Sequence, residues 1–514
     1  MCRLAPRFSV GFLVLFVSLA SSTWEFPSSS DGTATLATAV SLAEHGTLAI
    51  DARFLTDNAY APSAKQGGNG RAYSKYGLGL SLVELPLVVL ARGTSQMFGF
   101  SQSGVQTALL SLLNPLATAL AAVLIFAMCE RLGASRTAAR LAALAYAFAT
   151  LAWASAISDN SDALQAFLVT LAAWGLAGGG GDRPNRALWV SGESLGWGVL
   201  TKTSIAVLAP PFVVGAWLVC RSRGMSWRDA LAGSARVAAP VAAGILALAW
   251  LNWTRFGSMT TTGYNTPVLT HPLWSGLYGL LLGPNKGVVF YAPLVLLAPL
   301  GLVALWRRSI SLAAALILSV IVWTPLNAIF YQWGGGWCWG PRYLLPILPF
   351  SFVAIGMTFD RPTAGLIARA LCTAGFMINL LGVVVSEDAY RRTTMHVWLP
   401  DRTGYVTMGD ATTPGRIVDY PRSAEDVLPA FSSIAGHWWL VRVALAGCDC
   451  TEESAECRCR TGRFEENRLF LSPPWRAQFG DAVPRPPYGI GIVQPLLLRE
   501  RYRQAVVDPN RERQ

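Results

Sequence analysis

The sequence predicts an all-α polytopic membrane protein, a bundle of about eleven transmembrane helices with interfacial helices in its first external loop. Three observations carry that prediction. Of 514 residues, 53% are hydrophobic and only 14% charged, against about 25% charged in a soluble domain. Uncharged apolar runs recur at the roughly 20 residues that a bilayer-spanning helix needs, and the mean hydropathy is +0.40. The net charge is +11, yet the arginines fall in short loops between apolar runs, the distribution of a topology signal and not of a nucleic-acid surface. Helix and not strand follows because a helix satisfies its own backbone polar groups in lipid.

The first apolar run, FSVGFLVLFVSLASS, follows Arg3 and Arg7 and is read as a retained helix over 8–22. A basic start, a short apolar core and small residues after it also fit a cleavable secretory signal. Further spans are expected at 104–130, 138–157, 162–178, 186–200, 203–220, 233–253, 286–306, 310–330, 342–358 and 364–385. The positive-inside rule places Arg3 and Arg7 in the cytoplasm, then Arg131, Arg136 and Arg140, then Arg183 and Arg186. Arg221, Arg223 and Arg228 follow, with Arg307, Arg308 and Arg361 as the last inside marks. This alternation holds only if YSKYGLGLSLVELPLVVLARG, residues 73–93, does not cross. Glu84, Pro86 and Arg92 interrupt it, as expected of an amphipathic helix lying in the outer interface. Residues 1–385 are thus read as the transmembrane domain, with 23–103 its first external loop and 386–514 an external C-terminal region. Within that region SSIAGHWWLVRVALAG, 432–447, carries Arg442 and is short for a span, which suits an interfacial or core helix.

No Walker-type phosphate loop, zinc-protease histidine pair or dinucleotide fingerprint is present, so nucleotide-driven chemistry has no support. The outside loops instead collect charged residues. The first supplies Asp31, His45, Asp51, Asp57 and Lys75, and ISDNSDAL supplies Asp159 and Asp162. Lys202, Arg255, Lys286 and Arg342 stand at other outer edges. Polar residues at such depth are costly unless they have work to do, and Lys and Arg donors suit the phosphate of an anionic lipid headgroup. Each has a plainer alternative. Asp31 follows three serines and could cap the helix ATLATAVSLAEHG; Lys75 and Arg342 could anchor helices at the interface; Asp159 and Asp162 could be acceptor-binding acids or solvated loop residues. Cys448, Cys450, Cys457 and Cys459 in GCDCTEESAECRCR read as disulfide candidates on an oxidising face before a zinc site, which more often uses two intervening residues. Cys129, Cys220 and Cys372 read as small apolar fillers.

DGTATLATAVSLAEHGTLAID followed by RAYSKYGLGLSLVELPL resembles the first external loop of GT-C integral-membrane glycosyltransferases, in the protein O-mannosyltransferase and aminoarabinose-transferase branch (glycosyltransferase family 39 and its kin). CERLGASRTAARLAALAYA, NWTRFGSMTTTGYN and WGGGWCWGPRYLLPILPF extend the likeness over about residues 8–385. The resemblance implies transfer of a sugar from a polyprenyl-phosphate donor to an acceptor on the external side. By match of position it implies Asp31 as catalytic base or acceptor-positioning acid and Lys75 as a lipid-phosphate contact. Two departures stand out: Gly32 follows Asp31 where many relatives carry a second acid, and Lys75-Tyr76-Gly77 replaces Lys-Pro-Pro.

The resulting expectation is a membrane glycosyltransferase of the bacterial inner membrane, active on the extracytoplasmic side. Asp31 acts as general base, Lys75, Arg255 and Arg342 bind the donor's lipid phosphate, and a lipid, glycan or protein is the acceptor. No cofactor is called for, because the donor is already activated, and a divalent metal finds no support in four scattered histidines. The rival readings are a lipid-linked sugar flippase, which calls for repeats and broken helices at the midplane, and a non-catalytic envelope assembly protein.

Overall fold

The computed structural model describes residues 6–22, 29–51, 63–181, 183–264, 268–336, 338–385, 387, 390, 432–447, 449–450, 457–460 and 462–463. Helix α1 (Pro6–Ser21) is followed by α2 (Ser30–His45) and a small antiparallel ribbon, β1 (Ala64–Gln66) with β2 (Ala72–Ser74), paired Ala64 to Ser74. Next come α3 (Gly79–Phe98), α4 (Gln102–Leu110), α5 (Leu113–Arg131), α6 (Arg136–Phe148) and α7 (Ala152–Ala156). The middle of the bundle is α8 (Asp162–Gly178), α9 (Pro184–Thr201), α10 (Ala209–Ser222) and α11 (Trp227–Phe256). It continues through α12 (Leu273–Leu281), α13 (Val288–Tyr291), α14 (Ala298–Arg308), α15 (Ile310–Ala328), α16 (Leu348–Ile355) and α17 (Pro362–Val384). After α18 (Ser433–Leu445) the described chain ends in an antiparallel sheet, β3 (Asp449–Cys450), β4 (Cys457–Cys459) and β5 (Gly462–Arg463).

Among the described residues five segments are long and apolar enough to cross a membrane: Gln102–Arg131, Thr203–Ser222, Trp227–Phe256, Ile310–Ala328 and Pro362–Val384. Gly11–Ser21, Asp162–Gly178 and Arg342–Ile355 are shorter apolar helices. The α3 helix, at 20 residues, is not in that set, in keeping with its interrupted sequence. Its helix starts at Gly79 and not at Tyr73, because Tyr73 and Ser74 are taken up in β2. Two expected single spans are broken. In 138–157 the Thr150 hydroxyl donates to Tyr146 O and accepts the Ala152 N–H, closing α6 and opening α7. In 286–306 Pro293, which has no N–H to give, opens a 3-10 turn over Pro293–Leu297.

Serine sets many of the helix starts. Ser29, Ser101, Ser135, Ser226, Ser309 and Ser432 each accept a backbone N–H of the first turn that would otherwise be orphaned. Packing is by small residues. A Cβ on Gly196 would meet Pro240 O at 2.5 Å, and one on Gly244 would meet Gly196 O at 2.5 Å, so α9 and α11 touch backbone to backbone, the usual solution where lipid supplies no hydrophobic drive. The outward faces stay apolar: Leu246 is 70% and Trp250 58% exposed on α11.

In the C-terminal region α18 packs against α17 with Trp439 and Leu440 fully buried, a core helix. Cys459 is disulfide-bonded, Cys450 and Cys457 are cross-strand partners, and Cys448 lies outside the described residues. Cys129 and Cys220 are buried thiols, but Cys372 is half-exposed.

Candidate active site

Asp31 sits in the first turn of α2, where Ser29 is the N-cap: its Oγ accepts the Gly32 N–H at 2.9 Å. The cap is therefore the serine, and the Asp31 carboxylate is turned to other partners. Its Oδ1 accepts from the Ser63 hydroxyl at 3.1 Å and from the Tyr76 hydroxyl through a short hydrogen bond. Its Oδ2 lies 3.5 Å from Arg342 Nη2. Burial alone would raise the Asp31 pKa; Arg342, Lys75 and the Tyr76 hydroxyl outweigh it and hold the carboxyl below its ordinary range. Asp31 is thus ionised at neutral pH.

The ribbon β1–β2 delivers Lys75. Its backbone N–H donates to Ser63 O at 3.0 Å, and its ammonium stands 5.1 Å from the Tyr76 ring and 5.2 Å from the Tyr264 ring. Gly263 makes this possible. It has φ +74, and a Cβ there would lie 2.9 Å from Lys75 Cβ, so only glycine lets the loop carrying Tyr264 close on the lysine.

Arg342 opens the 3-10 turn Arg342–Ile347 before α16 and bridges two acids, with Nη1 3.7 Å from Asp162 Oδ2. Asp162 starts α8, is 2% exposed, accepts from Gln165 Nε2 at 3.2 Å and lies 3.8 Å from Lys202 Nζ. Lys202, at the break between α9 and the next turn, stands 4.6 Å from the Tyr343 ring. Among the described residues neither the Lys202 ammonium nor the Arg342 guanidinium has a hydrogen-bond acceptor within reach; their contacts are ion pairs of 3.5–3.8 Å and the Tyr343 ring. The cluster therefore holds three cations, Lys75, Lys202 and Arg342, against the carboxylates of Asp31 and Asp162.

Two expected site residues face elsewhere. Arg255, at the end of α11 and 5% exposed, donates to Ser74 O at 3.0 Å, Tyr76 O at 2.7 Å, Asn252 Oδ1 at 2.8 Å and Leu251 O at 3.3 Å. Among the described residues it pairs with no carboxylate; it clamps the backbone on both sides of Lys75. Asp159 is turned from the cluster to α2, where its Oδ2 accepts the Ser29 N–H at 2.7 Å.

Residues 89–253 match the family model described as dolichyl-phosphate-mannose-protein mannosyltransferase. Among solved structures the chain is similar to the archaeal oligosaccharyltransferase AglB from Archaeoglobus fulgidus in complex with an inhibitory peptide and a dolichol-phosphate. That likeness has TM-score 0.51 and 13% identity, covering 77% of this chain and 59% of that one. The chain thus spans less than two thirds of the AglB length. It is also similar to ArnT from Cupriavidus metallidurans bound to undecaprenyl phosphate, with TM-score 0.49 and 15% identity over 86% of this chain and 72% of that one. No curated protein matches it. The likeness to AglB shows a shared helical membrane fold.

The stretch matched by that family model contains Asp159, Asp162 and Lys202 but stops short of Asp31, Lys75, Arg255 and Arg342, so those four rest on geometry. Sequence reasoning missed Ser63, Tyr76 and Tyr264 as members of the cluster and gave Lys202 too little weight. Tyr76 carried a signal, since it stands where the motif of the family that the sequence resembles has proline. Ser63 carried none, because its place depends on the β1–β2 pairing. Among the described residues no group of three or more His, Cys, Asp or Glu could hold a metal.

Proposed function

We propose that this chain is a glycosyltransferase that moves a sugar from a polyprenyl-phosphate-linked donor to an acceptor hydroxyl or amine at the extracytoplasmic face of a bacterial inner membrane. The observation that carries the reading is the pairing of an ionised acid, Asp31, with Lys202 and Arg342 donors that find no acceptor among the described residues. A phosphodiester anion supplies the acceptor that those donors lack. The AglB structure to which the chain is similar is a complex with a dolichol-phosphate, which supports the donor class.

In the proposed reaction the acceptor O–H or N–H is hydrogen-bonded to Asp31 and attacks the anomeric carbon. The new bond to that carbon forms as the bond from carbon to phosphate oxygen breaks, and the acceptor proton passes to the carboxylate. The lipid phosphate leaves with a second negative charge. Lys75, Lys202 and Arg342 stabilise that developing charge, the electrostatic contribution that usually dominates in such sites. A single displacement gives inversion at the anomeric carbon. Arg255 acts one step back, holding Ser74 and Tyr76 so that Lys75 faces the cluster, and Asp162 is the counter-ion that positions Lys202 and Arg342. Residues 1–385 form the catalytic domain in this reading, and 386–514 an external region.

The test is reconstitution of the purified protein in proteoliposomes with a lipid-linked sugar and a panel of acceptors. Asp31→Asn lowers turnover by about 10²–10⁴-fold, the usual worth of a general base, with donor binding retained. Full transfer by that variant would remove Asp31 from the mechanism. Donor crossing the bilayer without any transfer would establish the flippase instead.

A further inference from the structure

Behind the first turn of α2 lies a second group of polar side chains that the proposed reaction does not use. Glu84 of α3, Asn114 of α5 and Asp159 of the loop before α8 are 5%, 5% and 8% exposed. With Leu80, Leu110, Leu113 and Ser158 they line a cavity of about 10 Å³. Each carries one buried oxygen with no hydrogen-bond partner among the described residues: Glu84 Oε2, Asn114 Oδ1 and Asp159 Oδ1. The orientation of the Asn114 amide is fixed, because its Nδ2 donates to Ser158 O at 2.6 Å and to Asn160 O at 2.9 Å, which leaves its oxygen for the cavity. Three acceptors thus sit on residues lining one cavity, and among the described residues nothing donates to them. A buried oxygen without a donor bears its full desolvation cost, so a donor belongs there.

We propose that Glu84, Asp159 and Asn114 form a buried proton site, in which one water accepts from the carboxylic acid proton of Glu84 and donates to Asp159 and Asn114. The cavity is the size of a single water. A water has two hydrogens for three acceptors, so one acceptor must bring its own proton. Glu84 is that group: burial first and the facing Asp159 second push its pKa far above the ordinary carboxyl range. A hard cation is the competing occupant, but such ions take about 6–8 oxygen ligands and only three are offered.

Asp159 couples this site to the catalytic helix. Its Oδ1 faces the cavity, while its Oδ2 accepts the Ser29 N–H, and Ser29 caps the turn that holds Asp31. A Cβ on Gly32 would lie 2.4 Å from the Asp159 carboxyl carbon, so the acid is seated directly against α2. Burial raises the Asp159 pKa to about 7, with the charge on Asp31 adding to it and the Ser29 bonds opposing it. The titratable groups facing Asp159 are Asp31 from α2, ionised, and Glu84 from α3, protonated. A proton reaching Asp159 near neutral pH weakens its grip on the α2 N-terminus and loosens Asp31. The proton site stands without the transferase reading; only its effect on turnover rests on that reading.

Infrared difference spectroscopy of the full chain in nanodiscs tests it. Wild-type protein, labelled with carbon-13 glutamate in one sample and carbon-13 aspartate in another, is titrated through neutral pH. The expected result is a protonated carboxyl band that persists at neutral pH and shifts with labelled glutamate, and a second band that grows as pH falls through about 7 and shifts with labelled aspartate. Glu84→Gln removes the first and Asp159→Asn the second; the labels make the same assignment if either variant fails to fold. Absence of the glutamate band at neutral pH overturns the proposal, as does its loss on adding sodium or magnesium, which would mark a cation site. In the transfer assay Asp159→Asn erases the limb of the pH profile near 7. Bands without any transfer would retain the proton site and sink the enzyme reading, and transfer without bands would do the reverse.

Discussion

Tyr76 is the residue at which this site departs from the Lys-Pro-Pro pattern of the family that the sequence resembles. Its hydroxyl donates to Asp31 Oδ1, and its own ionisation is pushed well above the ordinary phenol by burial first and by the Asp31 charge second, so it remains a donor throughout the working range. A bond of that kind stabilises the carboxylate, and stability of the carboxylate is what holds the Asp31 pKa down. The base must be ionised to act, so activity falls as pH drops through the folded pKa of Asp31. Tyr76→Phe removes the donor, raises that pKa and moves the acid limb of the transfer profile upward. The shift is about 1 pH unit, from the 1.5–3 kcal/mol of a hydrogen bond to a charged group less what water restores. A profile in Tyr76→Phe superimposable on wild type would show that the hydroxyl has no hold on the acid. Arg342→Lys keeps the charge but loses the planar fork; a rise in donor KM of about 10-fold is expected from one lost charged hydrogen bond, read in the same vesicles.

At the scale of the element, α2 is a short helix whose position is set from outside. Ser29 caps it, Asp159 grips the cap, and Ser81 Oγ of α3 donates to Thr35 O at 2.8 Å. Gly32→Ala puts a methyl 2.4 Å from the Asp159 carboxyl and 2.7 Å from Asp159 O, so α2 and the loop before α8 must part. A cost of about 1–3 kcal/mol is expected, seen as a lower melting temperature in detergent together with lost transfer. Gly68→Ala, where a Cβ meets nothing within 4 Å, is the control and stays within about 0.5 kcal/mol. This contact also marks where the sequence stopped being legible. Asp31-Gly32 read as a motif lacking its second acid, and the acid that fills the space comes from a distant loop whose approach no local pattern encodes. The helices themselves were legible, because apolar runs and serine caps are local. Arg255 was legible as a cation at an outer edge but not in its direction, since the carbonyls it binds exist only once β2 and the turn after it have formed.

At the scale of the whole molecule the charged residues sort to two ends of one bundle. Asp31, Lys75, Asp162, Lys202 and Arg342 meet at one end. At the other, Arg308 Nη1 donates to Leu132 O at 2.6 Å, Arg223 Nη1 to Gly179 O at 3.0 Å, and Asp360 accepts from the Ser135 N–H at 2.8 Å. The loops around 132, 179, 223, 308 and 360 therefore share a face, and they carry the arginines that the positive-inside rule assigns to the cytoplasm. The two ends agree only if α3 stays on the site's side. It packs there against α2, and Glu84, in its second turn, is buried and lines a protein cavity. Were α3 a span, every arginine loop after it would change sides. Reporter fusions decide this: a periplasm-active phosphatase is expected to be silent after Arg223 or Arg308 and active after Gly257, with a cytoplasm-active reporter giving the opposite pattern. Activity after Arg308 would invert the bundle, put Asp31 and its cations on the cytoplasmic face, and make a donor displayed outside unreachable by this site.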